Sequence, residues 1–328
     1  MKNTFFALLY LVFINSFLFS SCETQELTEL GLLVPPTVME DTSLPTIEVN
    51  GTLLHSEAFG DPSDPMLVVV HNGPGGDYRS NLNYKHLADD GMFVVFYDQR
   101  GSGLSQRHDL AFYESKTVQF FIDDLAGVIE HYQTAEDQKI ILAGHSWGAM
   151  LATAYINQNP DKVDGVILAE PGGFTWSQAQ TYIRRTFALQ LFSESTNDFV
   201  YTDQFITGSD HATLDYKLTL ATTFNNTGDT DQAPFWRPGA VLSSWAQNYA
   251  SENPEDIDFT TNLSQYTTRV LFAYSELNHH YGKEHATIVS SAYPSVQLEQ
   301  IPNCGHEIIH FGWTDMYPMV LDYLEMVL

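Results

Sequence analysis

The pentapeptide Gly144-His145-Ser146-Trp147-Gly148 constrains this chain more than any other stretch. It follows the apolar run Ile140-Ile141-Leu142-Ala143 and precedes the small-residue pattern Ala149-Met150-Leu151-Ala152-Thr153-Ala154-Tyr155. A short apolar run, a G-x-S-x-G turn and a helical pattern predict strand, sharp corner and helix, the context that gives this motif its mechanical meaning. Such a corner holds its serine in a strained backbone conformation. It also presses neighbouring segments against the flanking glycines, where any Cβ would collide. The expected product is a raised Ser146 hydroxyl at the carboxyl end of a central strand.

The rest of the pattern supplies a sheet for that corner. Thr46 to Phe59 alternates apolar and polar residues around Asn50-Gly51, a hairpin signal. Met66-Leu67-Val68-Val69-Val70 is a continuous run, as in a strand buried on both faces. Gly91 to Tyr97, Val163 to Ala169, Arg269 to Tyr274 and Val296 to Ile301 read as further strands, with helical periods at Thr117 to Tyr132, at Lys283 to Ala292 and from His306 onward. Alternation of this kind predicts an α/β fold with a mostly parallel central sheet flanked by helices, its site at the carboxyl ends of the strands. Residues 171–268 break the pattern with scattered aromatics (Trp176, Phe187, Phe205, Phe235, Trp236, Trp245), so a mainly helical cap is expected there. The core is then expected in two parts, 46–170 and 269–328.

The 14 Lys and Arg against 41 Asp and Glu give a formal charge of −27, which repels a phosphate backbone and argues against nucleic-acid binding. Residues 1–21 carry Lys2, an apolar run from Phe5 to Phe19 and the small pair Ser20-Ser21 directly before Cys22, a secretory signal too short in its apolar part for a membrane span. Leu18-Phe19-Ser20-Ser21-Cys22 resembles a bacterial lipobox, which implies cleavage before Cys22, its acylation, and an extracytoplasmic protein anchored to a membrane through lipid. Residues 22–45 are polar with Pro35-Pro36 and no period, and are expected to act as the tether.

Three separated motifs, His71-Asn72-Gly73-Pro74-Gly75, Asp98-Gln99-Arg100-Gly101-Ser102-Gly103 and Gly144-His145-Ser146-Trp147-Gly148, resemble those of the proline iminopeptidase group of α/β-hydrolases, the S33-type serine peptidases. The resemblance implies a hydrolase that needs no metal or organic cofactor and releases an N-terminal residue from a small peptide. In that chemistry Ser146 attacks the carbonyl carbon, and His306, in Asn303-Cys304-Gly305-His306 after the last strand, takes its proton. The Trp147 N–H, and by resemblance that of Gly73, would hold the oxyanion, a role Pro74 cannot take for lack of an N–H. Two positions depart from the family pattern. Asn72 stands where Gly is usual, and the acid-bearing stretch after the cap reads Ser275-Glu276-Leu277-Asn278, with Asn278 at the place of the usual Asp.

An amide does not stabilise an imidazolium as a carboxylate does. Glu170, at the end of the strand before the cap, is therefore expected to supply the acid, with Asn278 and Glu276 as alternatives. The order Ser146, Glu170, His306 keeps the nucleophile-acid-base sequence of this architecture. Family members also hold the substrate's amino end with cap carboxylates, for which Glu194, Asp198, Asp203 and Asp215 are candidates. Two rival readings are an esterase or amidase acting on a non-peptide substrate and a degenerate hydrolase fold used as a binding module. A remote one is a zinc metallopeptidase, since His306-Glu307-Ile308-Ile309-His310 matches H-E-x-x-H.

Overall fold

The computed structural model describes residues 33–186, 210–221 and 227–328, so the expected signal segment and Cys22 lie outside the described residues. β1 (Thr46–Val49) and β2 (Thr52–Phe59) form the hairpin about Asn50-Gly51, whose φ values of 49° and 71° are those a tight two-residue turn demands. β3 (Met66–Val70), β4 (Phe93–Tyr97), β5 (Ile140–His145), β6 (Gly165–Ala169), β7 (Val270–Ser275) and β8 (Val296–Ile301) complete one eight-stranded sheet in the order β1-β2-β4-β3-β5-β6-β7-β8. β1 with β2 and β2 with β4 pair antiparallel, and every other pair is parallel. The sheet is the mostly parallel one that the sequence pattern predicts.

Because successive side chains point to opposite faces, the unbroken apolar runs feed two cores. Val68, Val70, Leu142 and Leu168 join one side with Phe121 and Leu125 of α1 (Gln119–Tyr132) and Leu151 of α2 (Trp147–Gln158). Leu67, Val69, Ile141 and Ile167 join the other with Met316, Val320 and Leu324 of the C-terminal helix (Trp313–Val327). Between β6 and β7 the described residues are mainly helical: α3 (Trp176–Thr186), α4 (His211–Ala221), α5 (Ala240–Glu252) and two short 3₁₀ turns, with one isolated bridge between Thr175 and Asp258. α6 (Gly282–Ser290) links β7 to β8, which makes the Trp313–Val327 helix α7. No helix among the described residues is long and apolar enough to cross a membrane.

Two stretches differ from expectation. The segment read as a free tether is bound to the domain from Val34 onward: Val34, Thr37 and Val38 are buried, and the Val38 N–H donates to the Leu104 carbonyl at 2.8 Å. An irregular, proline-containing segment has no period to betray such docking. The helix expected from His306 begins only with the turn Ile308–Phe311 and breaks at Gly312, where a Cβ would lie 2.7 Å from Ile301 and 2.8 Å from the Cys304 sulfur.

The Asp98–Gly103 motif owes its composition to close contacts. The Asp98 carboxylate accepts from His55 Nδ1 and from the N–H groups of Tyr78 and Leu104, and a Cβ on Gly103 would fall 2.1 Å from it. Arg100 grips Asp124 of α1 bidentately, Nε to Oδ2 at 2.8 Å and Nη2 to Oδ1 at 2.6 Å, with both side chains buried. Arg100→Ala leaves the Asp124 charge buried without its partner, so it should lower unfolding free energy by about 3–5 kcal/mol in urea titration, whereas Lys139→Ala, at an exposed ion pair, should change it little.

Candidate active site

Ser146 stands at the corner between β5 and α2 with φ 55° and ψ −120°, a conformation that costs about 1–3 kcal/mol and persists only where its surroundings impose it. They do so here. The Ser146 N–H donates to the Ala169 carbonyl at 2.8 Å, and the flanking glycines leave no room for a Cβ, which at Gly148 would lie 1.9 Å from the Val70 oxygen and at Gly144 2.5 Å from Ala149 Cα. Trp147 opens α2, so its N–H has no partner within the helix.

The three sequence motifs are bonded to one another through Gln99. Its N–H donates to His71 Nε2 at 2.9 Å, its side-chain amide donates to the His71 carbonyl at 3.0 Å, and its side-chain oxygen accepts from Trp147 Nε1 at 2.9 Å. This ties the loop that carries Gly73 to the start of α2. From the other side the loop is held by α5: the Gly239 N–H donates to the Gly75 carbonyl and the Ser243 hydroxyl to the Pro74 carbonyl, each at 2.8 Å. Gly75 has φ 95°, and a Cβ there would meet Ser243 Oγ at 2.1 Å.

His306 lies in the turn after β8. Its Nδ1 is 2.7 Å from Glu170 Oε2, and its carbonyl accepts from His145 Nε2 at 2.8 Å. Glu170, fully buried at the end of β6, also accepts from Ser275 N–H (2.8 Å), Ser275 Oγ (2.6 Å) and Asn278 Nδ2 (2.8 Å). Four donors thus surround the two carboxylate oxygens, and their demand assigns the imidazole proton to Nδ1, leaving Nε2 as a free acceptor. Burial disfavours the charged imidazole, but the hydrogen bond and charge of Glu170, aided by Glu307 and Asp229, outweigh it and raise the His306 pKa above the ordinary histidine value. Burial and the neighbouring His306 push His145 down to about 3, so it stays neutral.

Ser146, Trp147, Gly73 and His306 line one cavity of about 590 Å³, walled on its apolar side by Phe121, Met150, Trp176 and Trp245. Glu307 lines it too, its pKa raised by burial, and its Oε1 lies 3.4 Å from Asn72 Nδ2. The asparagine that departs from the family pattern therefore reaches across to the residue beside His306.

Of the candidate acids, Glu170 meets His306. Asn278, its alternative, donates to Glu170 and to the Tyr182 hydroxyl instead of bonding the imidazole. Glu276 is exposed and accepts from the Asn303 N–H: it follows directly on Ser275, whose hydroxyl faces Glu170, and adjacent residues at a strand end point to opposite sides. Asp215 is buried against Arg107 and Arg237, which removes it as an anchor for a substrate amino group, while Glu194, Asp198 and Asp203 lie outside the described residues. The zinc reading loses its geometry: the helical turn starts at Ile308, after His306, so the two histidines do not share a helix face. Among the described residues no group of three or more His, Cys, Asp and Glu is placed to hold a metal.

Sequence reasoning missed three contributors. Ser275 sits in the stretch searched for an acid, but nothing in its identity marks it as a donor to Glu170. Asp229 accepts from the N–H groups of Gly305 and Glu307 at 2.7 and 2.9 Å and so straddles His306 from the cap side. Tyr182 of α3 places its hydroxyl 3.4 Å from His306 Nδ1. The last two come from the cap, where no motif signals a contact.

The chain belongs to the α/β-hydrolase fold family, whose model matches residues 65–312. Parts of it are similar to proline iminopeptidases and parts to epoxide hydrolases. It is 35% identical over 115 residues to a proline iminopeptidase of Arabidopsis thaliana, covering 35% of this chain and 29% of that one. It is 28% identical over 123 residues to epoxide hydrolase B of Mycobacterium tuberculosis, covering 37% of this chain and 33% of the relative. The matched stretches thus span about a third of these relatives. The solved proline iminopeptidase of Mycobacterium smegmatis superposes with a TM-score of 0.57 at 17% identity, covering 86% of this chain and 97% of that one, a likeness of fold.

Titration of the His306 imidazole by NMR should give a midpoint above that of an unperturbed histidine. Glu170→Gln should move it below, since the raising partner is lost and burial remains.

Proposed function

We propose that the chain is a serine hydrolase working through an acyl-enzyme, an aminopeptidase that releases N-terminal proline or another residue from short peptides. The observation that carries this reading is the contact of His306 Nδ1 with the buried Glu170 carboxylate at 2.7 Å, in a turn whose imidazole opens on the same cavity as the strained Ser146.

Each step follows from those positions. His306 Nε2, the free acceptor, takes the Ser146 proton as Oγ attacks the scissile carbonyl. The imidazolium that forms is stabilised by the Glu170 carboxylate, whose oxygens four donors hold in place. The carbonyl oxygen becomes an oxyanion beside the N–H groups of Trp147 and Gly73, held by the Gln99 bonds on one side and by α5 on the other. His306 then gives its proton to the leaving amine, and water repeats the sequence on the ester. The aromatic wall of the cavity suits a compact apolar acyl group such as a prolyl residue, and the relatives named proline iminopeptidase support that substrate class. A serine at the corner also favours acyl transfer over epoxide opening, for which the fold employs a carboxylate nucleophile.

A fluorophosphonate should label the folded protein at Ser146, and Ser146→Ala should abolish both labelling and turnover of a prolyl arylamide, a loss on the order of 10⁴-fold or more. No labelling of correctly folded protein would remove the hydrolase mechanism. Labelling with turnover of simple esters but of no aminoacyl arylamide would move the assignment to an esterase.

Asn278→Asp offers a pH-resolved check. A second carboxylate at hydrogen-bond distance from Glu170 adds negative charge beside His306 and raises its pKa further, and the base works only when neutral. The acidic limb of kcat/KM should therefore move to higher pH, with about tenfold lower activity at neutral pH. An unchanged profile would show that the neutrality of residue 278 does not matter.

A further inference from the structure

Arg237 is the largest fully buried side chain among the described residues, and what surrounds it is not a simple pair. Its Nε donates to Asp215 Oδ2 at 2.7 Å, and Arg107 Nε donates to the same oxygen at 3.0 Å. Two buried guanidinium groups thus share one carboxylate. The balance is restored by the N-terminal segment: Arg237 Nη1 donates to the Pro35 carbonyl and to Glu40 Oε2, both at 3.0 Å. Glu40 Oε2 also accepts from the Thr37 N–H at 2.7 Å, which folds the segment back on itself. A buried cation without a counter-charge is costly, and the Pro35–Glu40 segment supplies Glu40 as the second carboxylate of an ion quartet among the described residues.

The quartet lies at the start of α5. The backbone N–H groups of Trp236 and Arg237 donate to Asp77 Oδ2 at 2.6 and 3.1 Å, and the Ala240 N–H donates to Asp215 Oδ1 at 2.9 Å. Two residues beyond Arg237, Gly239 donates to Gly75 and packs on Gly101 so closely that a Cβ would lie 2.2 Å from its carbonyl oxygen. The 73–77 loop is therefore held at three points, Pro74 by α5 itself and Gly75 and Asp77 by the residues that lead into it.

We propose that Glu40 is a positioning residue for the active site: through Arg237 it sets the start of α5, and through α5 the loop that presents the Gly73 N–H to the oxyanion. This rests on the acyl-enzyme reading above. A misplaced oxyanion donor weakens binding of the transition state and spares that of the ground state, so the effect belongs to kcat. Its size is modest, because the Glu40 side chain is 52% exposed and water can partly replace it.

Glu40→Gln should lower kcat for a prolyl arylamide about three- to tenfold with KM little changed, after correction for the fraction of sites titrated by a fluorophosphonate, and Glu40→Asp should recover part of the loss. Hydrogen exchange at the Gly75–Asp77 amides should quicken in Glu40→Gln, a readout that needs no turnover. Wild-type kcat and exchange in both Glu40→Gln and Glu40→Ala would overturn the proposal, as would a kcat loss wholly accounted for by fewer titratable sites. A wild-type protein that resists the fluorophosphonate would instead remove the acyl-enzyme reading, while exchange at the loop would still decide whether Glu40 holds it.

Discussion

A carboxylate with no access to solvent sits at the centre of this molecule, and the surrounding architecture exists in large part to make it tolerable. An ionised Glu170 in that position costs several kcal/mol in lost hydration unless its oxygens are fully occupied. The four donors come from the end of β7, the loop beyond it and the turn after β8. Only a sheet in which β6, β7 and β8 lie side by side and end together can bring those donors to one point. The parallel arrangement is thus a condition for the charge as well as a way of burying apolar strands.

The same economy appears on the opposite side of Ser146. Gln99 joins the histidine of one motif to the tryptophan of another, Asp98 gathers three donors, and Arg100 pins the following loop to α1. These contacts leave the loop that carries Gly73 little freedom of its own. Preorganised donors act only as well as they are held, and here they are held from the core by Gln99 and from the cap by the start of α5.

Much of this was legible in the sequence because it depends on period and local chemistry. The valine-rich runs mark strands buried on both faces, and the Gly-x-Ser-x-Gly pentapeptide marks the strained corner at Ser146. The absence of an acid at residue 278 directs attention to Glu170, the remaining carboxylate that ends a strand. What was not legible depends on contacts distant in sequence. Tyr182 and Asp229 reach His306 from a cap whose helices carry no motif. Asn278 donates to Glu170 and does not itself meet His306, and nothing in an amide's identity says which of its ends will face a neighbour. The docking of Val34–Glu40 escaped notice for a related reason: Pro35-Pro36 suppresses any period, while the ion that captures Glu40 lies almost two hundred residues further along the chain.

The contorted backbone at Ser146 carries a further implication. A conformation that the residue would not choose for itself is retained only while β5, β6 and the Val70 carbonyl crowd it from every side. Any loosening of the sheet lets the corner relax toward an ordinary turn before the chain as a whole comes apart. The geometry at Ser146 is therefore a gauge of the sheet's integrity, and heat or denaturant should disturb it ahead of global melting.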